Sequence, residues 1–227
     1  MSIIRCSSEE RHFSEGYAQL LPDSPSLVRF LDSIYEVLRR EINFDQSASL
    51  LDIGCGRGYF LHYLKQKGFQ RLQGIDPGQY AIDEALFEPI ANGRFEDHPF
   101  ECKSFDIVFT CHTLHHLVDP SPVNALKEMF NLAKRYVIVV EINNTNPAMF
   151  LRSWALRKVE RNAHRYNLGH VQNMFRSLKT EINYSKNIDC GYLSGNSMFH
   201  RLASRIGSRP YNISIASLQN HGMSKLY

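Results

Sequence analysis

The sequence predicts an α/β fold: a doubly wound sheet, mostly parallel, with a C-terminal antiparallel strand pair and helices on both faces. Three observations predict it. Short apolar runs alternate with helical patterns through the first two thirds of the chain. Two of those runs, at 49–53 and 71–76, end in a carboxylate and then a glycine-containing turn. The run Tyr136–Ile142 (Tyr-Val-Ile-Val-Val-Glu-Ile) is apolar but for Glu141, as expected of a strand covered on both faces.

The elements follow in order. Residues 1–22 carry mixed charge and few apolar positions, which suits a mobile arm or a short helix. Ser24-Pro25 supplies an N-cap and a proline at the first helical position. Leu27, Phe30, Leu31, Ile34 and Leu38 then recur at helical spacing, with Arg39 and Arg40 suited to the C-terminal end. A strand at 49–53 leads through a glycine turn into a helix near 58–67 that stops at Gly68. A second strand spans 71–76, a helix 80–87, a weak third strand 89–95 and a clear fourth strand Phe105–Thr110. Helix 122–134 precedes the apolar run. Beyond it, Asn146-Pro147 starts a helix, Gly169–Leu178 reads as another and 196–206 as a third. Tyr184–Cys190 and Tyr211–Leu218 alternate like strands, with Pro210 where a missing N–H is tolerated.

Composition bounds the function. A chain of 227 residues, 43% hydrophobic, can bury a substantial core. Five scattered cysteines without a Cys-x-x-Cys do not form a disulfide framework or a structural zinc motif. With no apolar leader and no span long enough for a bilayer, the chain reads as a cytoplasmic protein with no membrane partner. The formal net charge of +3 argues for no nucleic-acid partner by itself.

The stretch Ser49–Phe60 organises the rest. Asp52 closes an apolar run, and Gly54, Gly56 and Gly58 follow at every second position before a helix. Such a turn offers backbone N–H groups and a helix N-terminus to a nucleotide-like ligand. A dinucleotide fingerprint would need Gly-x-Gly-x-x-Gly, but here the third glycine comes one residue early and Tyr59 fills the required position.

Asp52-x-Gly54-x-Gly56-x-Gly58 resembles the first motif of class I S-adenosylmethionine-dependent methyltransferases of the small-molecule type. Three more segments resemble that family in order: Gly74-Ile75-Asp76; Gly93–Phe100; and Ser104–Val108 with Leu114-His115-His116-Leu117-x-Asp119-Pro120. The resemblance covers roughly residues 49–142 and implies a Rossmann-like fold and S-adenosyl-L-methionine as cofactor. It implies one methyltransferase domain over 1–227: an N-terminal arm and helix at 1–45, a cofactor-binding core at 49–142, a substrate-region insertion at 143–210, and a final strand and tail at 211–227.

The resemblance also implies site roles. Asp52, Gly54, Cys55 and Gly56 would meet the methionine portion of the cofactor. Asp76, with Pro77 behind it, would accept hydrogen bonds from the ribose hydroxyls. Phe95 would lie against the adenine, and Cys111 would border the sulfonium end. One position departs from the pattern: Arg94 stands where the family often has an acid, and arginine cannot accept a hydrogen bond from the adenine amino group.

His112, His115 and His116 follow the fourth strand, at the rim where open α/β sheets bind substrates. They are the candidate catalytic residues, His112 first. A histidine there can act as general base, take part in a metal site, or simply start and cap a helix. The hard oxygen ligands that some relatives carry at this spacing are absent, so no metal is assigned. Arg157, Arg161 and Arg165 would form a basic stripe on a continuous helix, and Met149, Phe150 and Trp154 would pack in the core or cap an apolar pocket. His12, Phe13 and Tyr17 could close over the cofactor as a lid.

The expected function is methyl transfer to an O or N atom of a small metabolite. A non-catalytic partner subunit of the same fold and an RNA methyltransferase are the alternatives; the modest net charge weighs against nucleic acid. Neither the methyl acceptor nor the oligomeric state is legible.

Overall fold

A computed structural model of the chain describes residues 22–94, 97–117, 122–157, 162–190 and 209–218. The expected N-terminal arm, its lid residues and the helix at 196–206 lie outside them. Seven strands form one sheet in the order β3-β2-β1-β4-β5-β7-β6. These are β1 (Leu50–Ile53), β2 (Leu72–Asp76), β3 (Ile90–Asn92), β4 (Phe105–Cys111), β5 (Ala133–Ile142), β6 (Tyr184–Ile188) and β7 (Tyr211–Ser217). The first five run parallel; β7 is antiparallel to β5, and β6 to β7.

The order reverses between β1 and β4. Consecutive strands step one way through β2 and β3, then the other way through β4 and β5. Ligands of open parallel sheets sit at the carboxyl ends of the strands beside such a reversal. The centre of the sheet explains why it holds. β1 is buried throughout, and β5 is buried from Tyr136 to Ile142, so both faces of the sheet are covered. Asp106 ties the strand starts together, its Oδ2 accepting from the backbone N and the hydroxyl of Ser49 at 2.8 and 2.7 Å.

The helices follow from their patterns. α1 (Pro25–Glu41) buries Leu27, Phe30, Leu31, Ile34, Val37 and Leu38, one stripe at helical spacing. Ser24 occupies its N-cap position without making the capping bond, and its hydroxyl is buried without a partner. α2 (Tyr59–Gln66) leaves the glycine turn. α3 (Gln79–Asp83) is shorter than the helix expected over 80–87. α4 (Pro122–Leu132) buries Ala125, Leu126, Met129 and Phe130. It gives way to β5 at Ala133, three residues before the expected strand start, because the polar pair Lys134-Arg135 belongs to the strand.

α5 (Pro147–Ala155) is capped by Asn146, whose side chain accepts from the N–H groups of Ala148 and Met149. α6 (Leu168–Ser177) is capped by Asn167 in the same way, at His170. The expected arginine stripe does not lie on one helix. α5 ends at Ala155, Arg157 stands beyond it, Arg161 lies outside the described residues, and Arg165 belongs to a separate single turn, Ala163–Arg165. Buried Tyr166 follows that turn, and its carbonyl accepts from Asn144 N at 3.0 Å, drawing the chain back to the end of β5.

Candidate active site

The glycine turn is held from both sides. Gly54, Gly56 and Gly58 all take positive φ, at 69°, 54° and 80°. A Cβ at Gly54 would stand 2.3 Å from Thr113 Cγ2, and one at Gly58 would stand 2.9 Å from Phe87 Cβ. Both positions therefore require glycine on backbone and on space. Gly54 N also donates to the carbonyl of Ile75 at 2.8 Å, tying the turn to β2. Thr113, just past β4, thus lies against the turn after β1.

Two carboxylates flank this turn. Asp76, the last residue of β2, accepts from Gly56 N through Oδ2 and from Gly78 N through Oδ1, both at 2.8 Å. Burial raises its pKa and these two bonds oppose the rise. Asp52, the third residue of β1, is buried, and its Oδ1 has no hydrogen-bond partner. Burial and then the charge of Asp76 push its pKa far above the usual carboxylate range. Cys55 is buried with its sulfur toward β2, 2.7 Å from where a Cβ on Gly74 would stand, and its backbone N–H and carbonyl are taken by Ile75 and Gly58. Pro77 is exposed beyond β2, and Phe95 lies outside the described residues.

The other side of the site is built on the tips of β4 and β5. Cys111 ends β4; burial, then the charges of Asp52 and Glu141, hold its thiol protonated. His112 follows with φ of 58°, a left-handed conformation that few residues other than glycine adopt. Its N–H donates to Val140 O at 2.9 Å, and its ring lies 4.7 Å from that of Tyr211 and 5.7 Å from that of Phe30. His112 Nε2 is buried without a hydrogen-bond partner. Burial, then the charges of His115 and Arg152, depress its pKa far below the ordinary imidazole value, so the ring is neutral at physiological pH.

Leu114–His116 form a single tight turn rather than the start of a long helix. His115 is 2% exposed and donates from Nδ1 to Glu141 Oε2 at 2.7 Å; Glu141 is fully buried. The rings of His115 and His116 lie 4.0 Å apart, and Tyr166 packs edge-on to His115 at 5.8 Å. The Tyr166 hydroxyl has no partner; burial and then Glu141 push its pKa up. The His170 ring lies 4.8 Å from that of Tyr166, tilted at 57°, and burial lowers its pKa. Among the described residues, no group of three or more His, Cys, Asp or Glu side chains is arranged to hold a metal ion.

Glu141 and Tyr166 were missed as site residues. Glu141 was hidden inside an apolar run. A lone acid there was the available signal, because a buried carboxylate needs donors.

Residues 51–140 match the family model described as methyltransferase domain. Over these residues the chain is similar to a methyltransferase domain. Solved structures share its fold. A complex of the Haloferax volcanii Trm112 methyltransferase activator with a methyltransferase aligns at TM-score 0.70 and 16% identity, covering 92% of this chain and 97% of that one. The plantazolicin methyltransferase BpumL with S-adenosylhomocysteine aligns at TM-score 0.65 and 18% identity, covering 93% and 90%.

Curated relatives are named tRNA U34 carboxymethyltransferase. That of Idiomarina loihiensis is 32% identical over 100 residues, 37% of this chain and 29% of the relative. That of Campylobacter hominis is 33% identical over 95 residues, 37% and 32%. The alignments thus span about a third of the length of these relatives.

These names overturn the expectation that argued against nucleic acid. The physical reason lies in where the charge sits. Residues 143–180 hold seven lysines and arginines against one acid, Glu160, a formal +6, whereas the whole chain carries +3. Averaging over the methyltransferase domain hid a strongly basic segment behind an acidic remainder. The absence of a bilayer-spanning segment is described more narrowly: among the described residues no helix is long and apolar enough to cross a membrane.

The methyltransferase site fits its family cofactor. The unpartnered Asp52 Oδ1 lies at the turn where a cationic group would satisfy it. Asp76 spends one acceptor site per oxygen on the backbone and keeps others.

Proposed function

We propose that this chain transfers the methyl group of S-adenosylmethionine to an O or N atom of an acceptor held above the ends of β4 and β5. The observation that carries the reading is the pair of buried, unpartnered polar atoms on the two sides of the sheet's switch point, Asp52 Oδ1 and His112 Nε2. Buried polar atoms without partners are costly, and a bound ligand is what repays them.

Asp52 would hold the cofactor's ammonium group, the backbone of Gly54 and Gly56 its methionine portion, and Asp76 its ribose hydroxyls. Bound there, the cofactor supplies an electrophilic methyl. The chain's own residues do the rest. His112, kept neutral, accepts the proton of the acceptor's hydroxyl or amine through Nε2. Glu141 holds His115 by Nδ1 and so orients its ring. Cys111 stays a thiol and does not compete for the methyl.

A small metabolite was the sequence's first acceptor class. An RNA acceptor is the second reading, favoured by the names of the curated relatives and by the basic segment 143–180. Calorimetry with S-adenosylmethionine and S-adenosylhomocysteine tests the cofactor half. Mass spectrometry of products, from metabolite extract and from total RNA, tests the acceptor half and distinguishes a methyl from a carboxymethyl gain. Absence of affinity for both cofactor forms overturns the proposal.

A further inference from the structure

Helix α5 buries one face and exposes a large apolar one. Ala148, Met149 and Ser153 are buried, while Phe150 is 49% exposed, Leu151 59% and Trp154 57%. They are the exposed large hydrophobic residues of the described chain. At spacings of three and four they share one side of the helix. The arginine beyond the helix end joins them: the Arg157 guanidinium lies 4.5 Å from the Trp154 ring centroid, and its Nη1 donates to Trp154 O at 2.8 Å.

The helix that carries the patch flanks the candidate active site through its opposite face. α5 starts five residues past the end of β5, and Arg152, on the same helix, is near enough for its charge to act on His112. Nothing acidic neutralises it along the chain: from Asn143 to Arg157 the sequence has two arginines and no acid. The wider segment to Thr180 carries the formal +6 noted above.

We infer that Phe150, Trp154 and Arg157 form a stacking platform that seats unpaired RNA bases on the outward face of the helix flanking the methyl-transfer site. The inference rests on that reading of the site and names its substrate class. Unpaired bases present flat apolar faces on a polyanionic backbone. Exposed aromatics and planar guanidinium groups take the faces, and a cation-rich surround takes the phosphates. A lipid surface is served less well. The helix has nine residues, and its apolar face ends against Arg157, whereas membrane-surface helices present long apolar faces.

The test is fluorescence anisotropy on the full chain with a labelled short poly-uridine strand, the same strand in a duplex, and anionic phosphatidylserine vesicles. The single strand should bind more tightly than the duplex, with affinity falling steeply as salt rises. Trp154→Ala and Phe150→Ala should each weaken it about tenfold. Arg157→Glu should weaken binding and flatten the salt dependence. S-adenosylhomocysteine affinity should stay unchanged in all three variants, which reports an intact fold. Two results overturn the platform: single-strand binding unaffected by the aromatic substitutions, or vesicle binding that these substitutions abolish while the RNA strand is not bound. Either leaves the methyl-transfer reading standing. That reading fails separately, if the wild-type chain binds neither cofactor form.

Discussion

Glu141 accepts a hydrogen bond from His115 Nδ1 at 2.7 Å, deep under the ends of β4 and β5. Glu141 Oε1 also accepts from Leu114 N at 2.8 Å. An ionised carboxylate accepts at both oxygens, so His115 donates to it from Nδ1. One side chain therefore fixes both the turn after β4 and the orientation of a site histidine. Glu141→Ala should strand two buried donors and cost on the order of 3 kcal/mol. Glu141→Gln should fold more stably than the alanine variant. Its amide would face Nδ1 and move the His115 proton to Nε2. Nitrogen-15 NMR of the imidazole reads that change directly, and an unchanged tautomer would remove Glu141 from the orienting role.

Asp52 should lower stability and raise cofactor affinity at once. Its folded pKa stands above the unfolded value, so the folded state prefers the protonated acid. The sign is then fixed: no penalty exists below about pH 4, and a penalty grows as pH rises toward the folded pKa. Asp52→Asn should therefore melt higher than wild type at neutral pH and match it near pH 4. The same variant should bind S-adenosylhomocysteine less tightly by about 1–3 kcal/mol, the scale of a hydrogen bond to a charged group. Thermal melts across pH and calorimetry check the two halves. A variant equal to wild type in both assays would leave Asp52 without the assigned role.

What the sequence made legible was periodic or geometric. The parallel strands were visible as apolar runs, the glycine turn by spacing no side chain would tolerate, and α1 by its stripe and its proline. The misses have local causes. β5 began before its apolar run, at residues whose charge masked the strand. The arginines at 157, 161 and 165 kept helical spacing, yet α5 stops at Ala155 because the chain turns back to bury Tyr166. Phe150 and Trp154 share their type with core residues, and only the fold shows that they face outward while Met149 faces in. Glu141 and Tyr166 join the site from positions far apart in sequence, which no local pattern carries.

His112 combines a left-handed backbone with a buried, unpartnered Nε2. Asparagine tolerates that backbone, so His112→Asn should keep the fold. It should lower turnover by about a hundredfold or more if the ring accepts the acceptor's proton, with S-adenosylhomocysteine affinity little changed. His112→Val should instead be strained, at a cost of about 1–3 kcal/mol. The pH dependence follows from the depressed pKa: stability is full above the unfolded value near 6.5 and falls as pH drops below it. His170 shifts the same way, so His112→Asn should make the acid limb of the stability profile shallower without abolishing it. Turnover equal to wild type would reassign His112 to a structural position.

Asp76 has an observed role and a proposed one, and one substitution can separate them. Its oxygens hold the N–H groups of Gly56 and Gly78, bracing the turn. Its remaining acceptor sites are the ones proposed for the ribose. Asp76→Ala removes both and should weaken S-adenosylhomocysteine binding by about 1–3 kcal/mol while lowering the melting temperature. Asp76→Asn keeps one oxygen for a backbone donor but sets an NH2 against the other. It should restore part of the stability and less of the affinity, because an amide offers the two ribose hydroxyls one acceptor where the carboxylate offers two. Calorimetry with adenosine alone isolates the ribose contribution. If adenosine binds both variants as it binds wild type, Asp76 braces the turn and does not touch the ribose.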